Sequence, residues 1–115
     1  MITIKNQNTT YGQTSIWDKS NQSKTNVYCE INGREAVIQI TTCKRSRGLT
    51  STASVMWVSG DALTCVLFQD YSKPLIQEVT RATEKAIKTQ HGKALAMLDS
   101  VISEVDTFYS KEEAA

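Results

Sequence analysis

Three cations stand within four residues at Lys44, Arg45 and Arg47, and the hydroxyl-rich run Thr50, Ser51, Thr52 and Ser54 follows closely. Such cations neutralise phosphates, hydroxyls and amides hydrogen-bond to phosphate, ribose or base edges, and a ring such as Tyr28 can stack on an unpaired base. The chemistry on offer is therefore that of a nucleic-acid contact, although a plain solvated turn has the same composition. Catalytic chemistry is poorly supplied. His91, the single histidine, lies beside Gly92 in a polar run and reads as an exposed helix-end residue rather than a general base. Cys29, Cys43 and Cys65 sit 14 and 22 residues apart with no CxxC pair, so they read as buried reduced thiols rather than zinc ligands. The glycines match neither a phosphate loop nor a dinucleotide fingerprint. Asp99, Glu104 and Asp106 read as the solvated face of a helix. No enzymatic activity, metal or cofactor is expected.

Charge and length narrow the class further. Net charge is only +1, but residues 1–69 hold seven Lys or Arg against four acids, whereas residues 94–115 hold one against five. The positive charge thus gathers in the first part and the acidity at the end. A chain of 115 residues fits one domain, which buries about two-thirds of its unfolded surface, so a partner subunit would add usefully to its stability. No stretch approaches the roughly 18–20 apolar residues that span a bilayer, and the start MITIKNQNTT has no basic and apolar leader pattern. Neither a membrane partner nor export is expected.

The elements that must position the basic turn are mostly strands. Asn32-Gly33 supplies the positive φ angles of a type I′ turn and predicts a hairpin with strands at 26–31 and 35–43. Alternation puts Val27, Cys29 and Ile31 on one face with Tyr28 and Glu30 on the other, and sets Ala36, Ile38 and Ile40 opposite Val37, Gln39, Thr41 and Cys43. The basic turn leads to a third strand at 50–58, Ser59-Gly60-Asp61 reverses the chain, and the nearly continuous apolar run 63–68 reads as a fourth strand. A weak N-terminal hairpin is expected from Ile2–Lys5 and Thr14–Trp17, with Ser20 to Ser23 as a polar loop. The fold class is α+β: an antiparallel meander over residues 1–69, then helices over 74–109. Ser72-Lys73-Pro74 suggests the helix start. The stripe Leu75, Val79, Ala82, Ala86 is followed by Ala94, Leu98, Val101, Val105 and Phe108, about 90° away on a helical wheel, which predicts a break near 91–92. Residues 110–115 are expected to fray.

This order of elements resembles the coat protein of the small single-stranded RNA bacteriophages. Its local support is the passage Leu63 to Ser72, from a last strand through a short polar and aromatic turn toward the helices, and the strand with basic turn from Ile38 to Arg47. The resemblance implies an interlocked dimer in which helices pair over a shared sheet, higher-order assembly into a shell, and RNA on the sheet's opposite face. By position it implies RNA contacts at Gln39, Thr41, Lys44, Arg45, Arg47 and Thr52, and a dimer interface at Leu75, Val79, Leu98, Val101, Val105 and Phe108. It also implies assembly in the host cytoplasm and residence in the virion. The tight connection from Ser59 to Ala62 and the long, acidic final helix depart from the family pattern. Two other readings fit the residues: a Whirly-like protein that binds single-stranded nucleic acid, and a small phage-encoded inhibitory protein that offers its surface to a larger machine.

Overall fold

The structure, a computed structural model, describes residues 1–10, 22–45, 48–59, 66–80 and 83–114. Five strands run in sequence order as one antiparallel sheet: β1 (Ile2–Thr10), β2 (Gln22–Ile31), β3 (Arg34–Arg45), β4 (Gly48–Ser59) and β5 (Val66–Glu78). Two helices follow, α1 (Glu84–Leu95) and α2 (Leu98–Ala114). The meander and the C-terminal helices agree with the α+β reading.

The central hairpin forms where the sequence places it. Asn32 and Gly33 take φ values of 54° and 80°, which twist the turn to match its strands. Alternation then decides the core. Val27, Cys29, Ile31, Ala36, Ile38, Ile40, Ala53 and Val55 are buried together with Ala94, Val101, Val105 and Tyr109 from the helices. Each large aliphatic side chain so enclosed contributes about 1.5–3 kcal/mol, and together they bind the helical layer to one side of the sheet.

Four local expectations are corrected. The segment at Ser72-Lys73-Pro74 is not a helix start but the middle of β5. Among the described residues β5 pairs only with β4, and the register slips between Ser51 and Thr52, leaving Leu75 as an extra residue. An edge strand with a bulge is where proline's missing N–H does least harm. Secondly, α1 runs through His91 and Gly92, and the break falls at Ala96-Met97. The buried positions Ile87, His91, Ala94, Val101, Val105 and Tyr109, joined by half-buried Leu98, form one stripe at spacings of three and four. Thirdly, α2 continues to Ala114, with Lys111 in its last turn complementing the helix dipole. Finally, β1 extends to Thr10 and pairs with β2; Thr14–Trp17, its expected partner, lies outside the described residues, as do residues 60–65.

Candidate nucleic-acid interface and a buried histidine seam

The sheet has two unlike faces. One is covered by the helices; the other carries no element of the described chain and is built from cross-strand rows fixed by the register. One row reads Thr10, Lys24, Thr41, Thr52, Pro74. Beside it runs Asn8, Asn26, Gln39, Ser54, Ser72, then Asn6, Tyr28, Val37, Met56, Gln69. On the other flank lies Gln22, Cys43, Thr50, Gln77. None of these four rows contains an acid; Glu30 and Glu35 come at the far end of the hairpin, where Glu30 pairs with Lys5 at 3.0 Å.

Hydrogen bonds organise the centre of this face. Gln39 Nε2 donates to Asn26 Oδ1 at 2.8 Å, and Thr41 Oγ1 donates to Gln39 Oε1 at a long 3.5 Å. Tyr28 is 39 % exposed and available to a flat partner. Val37, between Tyr28 and Met56 in register, is nonetheless buried. With rows about 7 Å apart and strands about 4.8 Å apart, the patch is roughly 20 Å on a side.

Of the residues expected to contact RNA, the fold brings Gln39, Thr41 and Thr52 together on this face, with Thr41 directly across from Thr52. Lys44 is exposed but alternates to the helix-bearing side, opposite Leu49. Arg45 closes the β3–β4 ladder opposite Gly48, and Arg47 lies outside the described residues. Sequence reading missed Lys24, Asn26 and Asn8, which the register adds to the same patch beside Ser54 of the hydroxyl-rich run.

The expected dimer residues divide. Val101 and Val105 are 3 % and 0 % exposed within the chain's own core. Leu75 and Leu98 pack half-buried against that core. Val79 is 88 % exposed beyond the end of β5, and Phe108 is 41 % exposed, with its ring 5.2 Å from that of Tyr71. Along the same β5–α2 seam, Lys73 pairs with Glu104, and Asp70 accepts hydrogen bonds from Trp57 Nε1 at 3.0 Å and Tyr109 Oη at 2.9 Å. Those two donors, Trp57 first, hold the Asp70 carboxyl below its usual range.

The covered face holds a second feature. His91 is wholly buried, not exposed. Its Nε2 lies 2.8 Å from Thr25 Oγ1 and its Nδ1 lies 2.8 Å from Thr42 Oγ1. The chain of hydroxyls continues from Thr25 to Thr9 at 2.8 Å and from Thr42 to Ser51 at 2.7 Å, where Gln90 Nε2 also donates at 3.1 Å. Burial lowers the pKa of His91 and favours the neutral ring. With Ser51 and His91 both enclosed, this arrangement offers no nucleophile to a substrate; it ties α1 to β2, β3 and β4. The clue in the sequence is spacing: His91 lies four residues after Ile87 and three before Ala94, on the buried stripe.

Cys29 and Cys43 are free, Cys29 buried and Cys43 half-buried on the open face; Cys65 lies outside the described residues. A shallow crease of about 550 Å³ on α1 is lined by Thr83, Lys85, Lys88 and Thr89. Among the described residues, no three His, Cys, Asp or Glu side chains group as metal ligands, and no helix is long and apolar enough to cross a membrane. Comparisons with protein-family models, curated proteins and solved structures found no match.

Proposed function

We propose that this chain is a capsid protein of the single-stranded RNA phage type, a non-enzymatic subunit that dimerises, assembles into a shell and holds genomic RNA on its open sheet face. The observation that carries the reading is that face: four consecutive cross-strand rows rich in amides and hydroxyls, with one lysine and no carboxylate. Carboxylates would repel phosphates, whereas amides and hydroxyls accept and donate to ribose, phosphate and base edges alike. Tyr28 supplies the ring on which an unpaired base stacks. Lys24 on this face, with the cations of the basic turn, supplies the phosphate neutralisation.

Self-association is supported by the other margin of the sheet. β5 is an edge strand of 13 residues, and half-buried Leu75, Ile76, Leu98 and Ile102 lie with exposed Phe108 along the β5–α2 side. A long edge strand and an incompletely covered apolar seam are both relieved by a second subunit. Contacts that are weak per subunit then sum over many copies, which suits a chain of net charge +1. The subunits would assemble in the host cytoplasm and end in the virion. The open face serves a Whirly-like strand binder equally well, and particle size separates the two readings.

The test is RNA retention by the assembled protein. Replacing both Arg45 and Arg47 with alanine is expected to flatten the dependence of log affinity on log salt by about 1.4, at roughly 0.7 per phosphate contact on a single strand, while dimers persist. Unchanged RNA content and an unchanged salt slope would remove the RNA assignment from the basic turn.

A further inference from the structure

The sheet has two edge strands, β1 and β5, and their outer margins are built differently. We infer that the outer edge of β1, from Asn6 to Thr10, takes β1 of a second copy of this chain, antiparallel about a twofold axis at Asn8. This contact adds to the association proposed along the β5–α2 side and depends neither on it nor on what the open face binds.

β5 is ill suited to adding a strand through its backbone. Its register with β4 slips between Ser51 and Thr52 and again between Val55 and Met56, which leaves Leu75 and Asp70 as extra residues. Pro74 has no N–H to offer. Lys73 points to the helix-bearing side, where it pairs with Glu104, and Asp70 is tied to Trp57 and Tyr109. Bulges, proline and an inward-pointing lysine are devices by which sheet edges resist further pairing. Contact on that side therefore falls to the side chains of the β5–α2 seam.

β1 has such a device only near its start. The shift in its register with β2 falls at Lys5, and that lysine pairs with Glu30 at 3.0 Å. From Asn6 to Thr10 the pairing is regular, opposite Tyr28 to Lys24, and the stretch Asn-Gln-Asn-Thr-Thr holds no charge, proline or glycine. Among the described residues no strand lies beyond it. One hydrogen bond shows which residues face outward. Gln7 N–H donates to Asn6 Oδ1 at 2.9 Å, a side chain of its own strand rather than a carbonyl of β2. By the alternation of an antiparallel ladder, Gln7 and Thr9 then direct N–H and C=O to the outer edge, while Asn6, Asn8 and Thr10 direct theirs to β2.

A second β1 laid antiparallel at Asn8 sets Gln7 against Thr9 of the second copy, and Thr9 against Gln7 of that copy. Each pair exchanges backbone hydrogen bonds, and a carbonyl of the second copy replaces Asn6 Oδ1 on Gln7 N–H. On the open face the two Asn8 side chains meet and Asn6 meets Thr10, an uncharged set that pairs with its own kind. The two Lys5 side chains lie about 20 Å apart along the pair, where salt screens their repulsion. A foreign peptide is selected by pockets that receive its alternate side chains. β1 offers none, since its side chains are exposed on both faces from Thr3 to Asn8, whereas its own sequence matches it about the axis. The acid-free row Asn8, Asn26, Gln39, Ser54, Ser72 then continues from one copy into the next.

Cysteine cross-linking of the intact chain tests the pairing in whatever assembly it forms. Asn8→Cys places two thiols across the axis, at a pair whose Cα atoms lie about 4.5 Å apart, inside the range a disulfide spans. Asn6→Cys, on the same face and also exposed in the single chain, holds its thiols about 14 Å apart. With glutathione disulfide as oxidant, Asn8→Cys is expected to convert to a covalent dimer, while Asn6→Cys and the unmodified chain stay uncross-linked. Adding Gln7→Pro to Asn8→Cys should abolish the cross-link, because it removes an outward N–H and leaves the β1–β2 ladder intact. Gln7→Lys, which brings two ammonium groups together beside the axis, serves the same end should the proline variant fail to fold. A cross-link at Asn8→Cys no stronger than at Asn6→Cys, or one that survives the changes at Gln7, overturns the β1 pairing. Whether particles form or carry RNA does not enter this readout, so the pairing and the capsid reading fail separately.

Discussion

Thr41 and Thr42 are adjacent in sequence and chemically identical, yet the fold gives them opposite duties, so replacing each with valine isolates the effect of the face. Thr42 Oγ1 is fully buried and lies 2.7 Å from Ser51 Oγ and 2.8 Å from His91 Nδ1. Valine keeps the shape but removes both contacts. Two buried hydrogen bonds at about 1–1.5 kcal/mol each are offset by about 1 kcal/mol from the added buried methyl, leaving a loss near 1–2 kcal/mol. Thr41 is half-buried and makes one long contact of 3.5 Å to Gln39, so its replacement should stay within about 0.5 kcal/mol. Urea unfolding followed by tryptophan fluorescence measures both, with the slope unchanged and only the midpoint moved. In RNA binding the order should reverse, with Thr41→Val weakening retention and Thr42→Val leaving the affinity of the remaining folded protein intact. Equal destabilisation by the two substitutions would refute the face assignment, and the interface with it.

Two further outcomes follow from the packing. Gly48 has a φ of 129°, and a Cβ there would run into the backbone carbonyl of Glu78. Gly48→Ala should therefore cost about 2–4 kcal/mol and raise amide exchange at the β3–β4 turn and the end of β5; a change under 0.5 kcal/mol would contradict that close approach. Leu98→Asp places a carboxylate against the core at the start of α2 and should abolish the proposed dimer, with a loss of stability above about 2 kcal/mol even after the favourable helix-dipole term. A folded dimer that persists in this variant, seen by sedimentation, would contradict the proposed helix-mediated association.

The parts of the fold that were legible in the sequence are those where polar and apolar residues alternate. Val27 to Ile31 and Ala36 to Ile40 announce their core face, and Asn32-Gly33 announces the turn between them. The second half of β1 and the first half of β2 were harder to read for a physical reason. Gln22, Ser23, Lys24 and Thr25 are polar on both faces, because the helix-bearing side there carries the histidine seam instead of aliphatic side chains. Without alternation, Lys24 could not be assigned to the open face. β5 was hidden by Pro74, which signals a helix start in isolation but sits harmlessly at a bulged edge. His91 was misplaced because a histidine among polar neighbours gives no local sign of burial; only its spacing from Ile87 and Ala94 does. Of the basic turn, the strongest functional signal in the sequence, Lys44 lies on the helix-bearing side opposite Leu49 and Arg45 closes the β3–β4 ladder opposite Gly48.

The most direct test of the capsid reading is to express the chain in bacteria, pass the clarified lysate over a large-pore sizing column, and image the excluded fraction while assaying it for nuclease-protected RNA. Uniform closed particles that carry protected RNA are the predicted result. A chain that elutes only as a small dimer or tetramer, or particles free of RNA, would contradict the account.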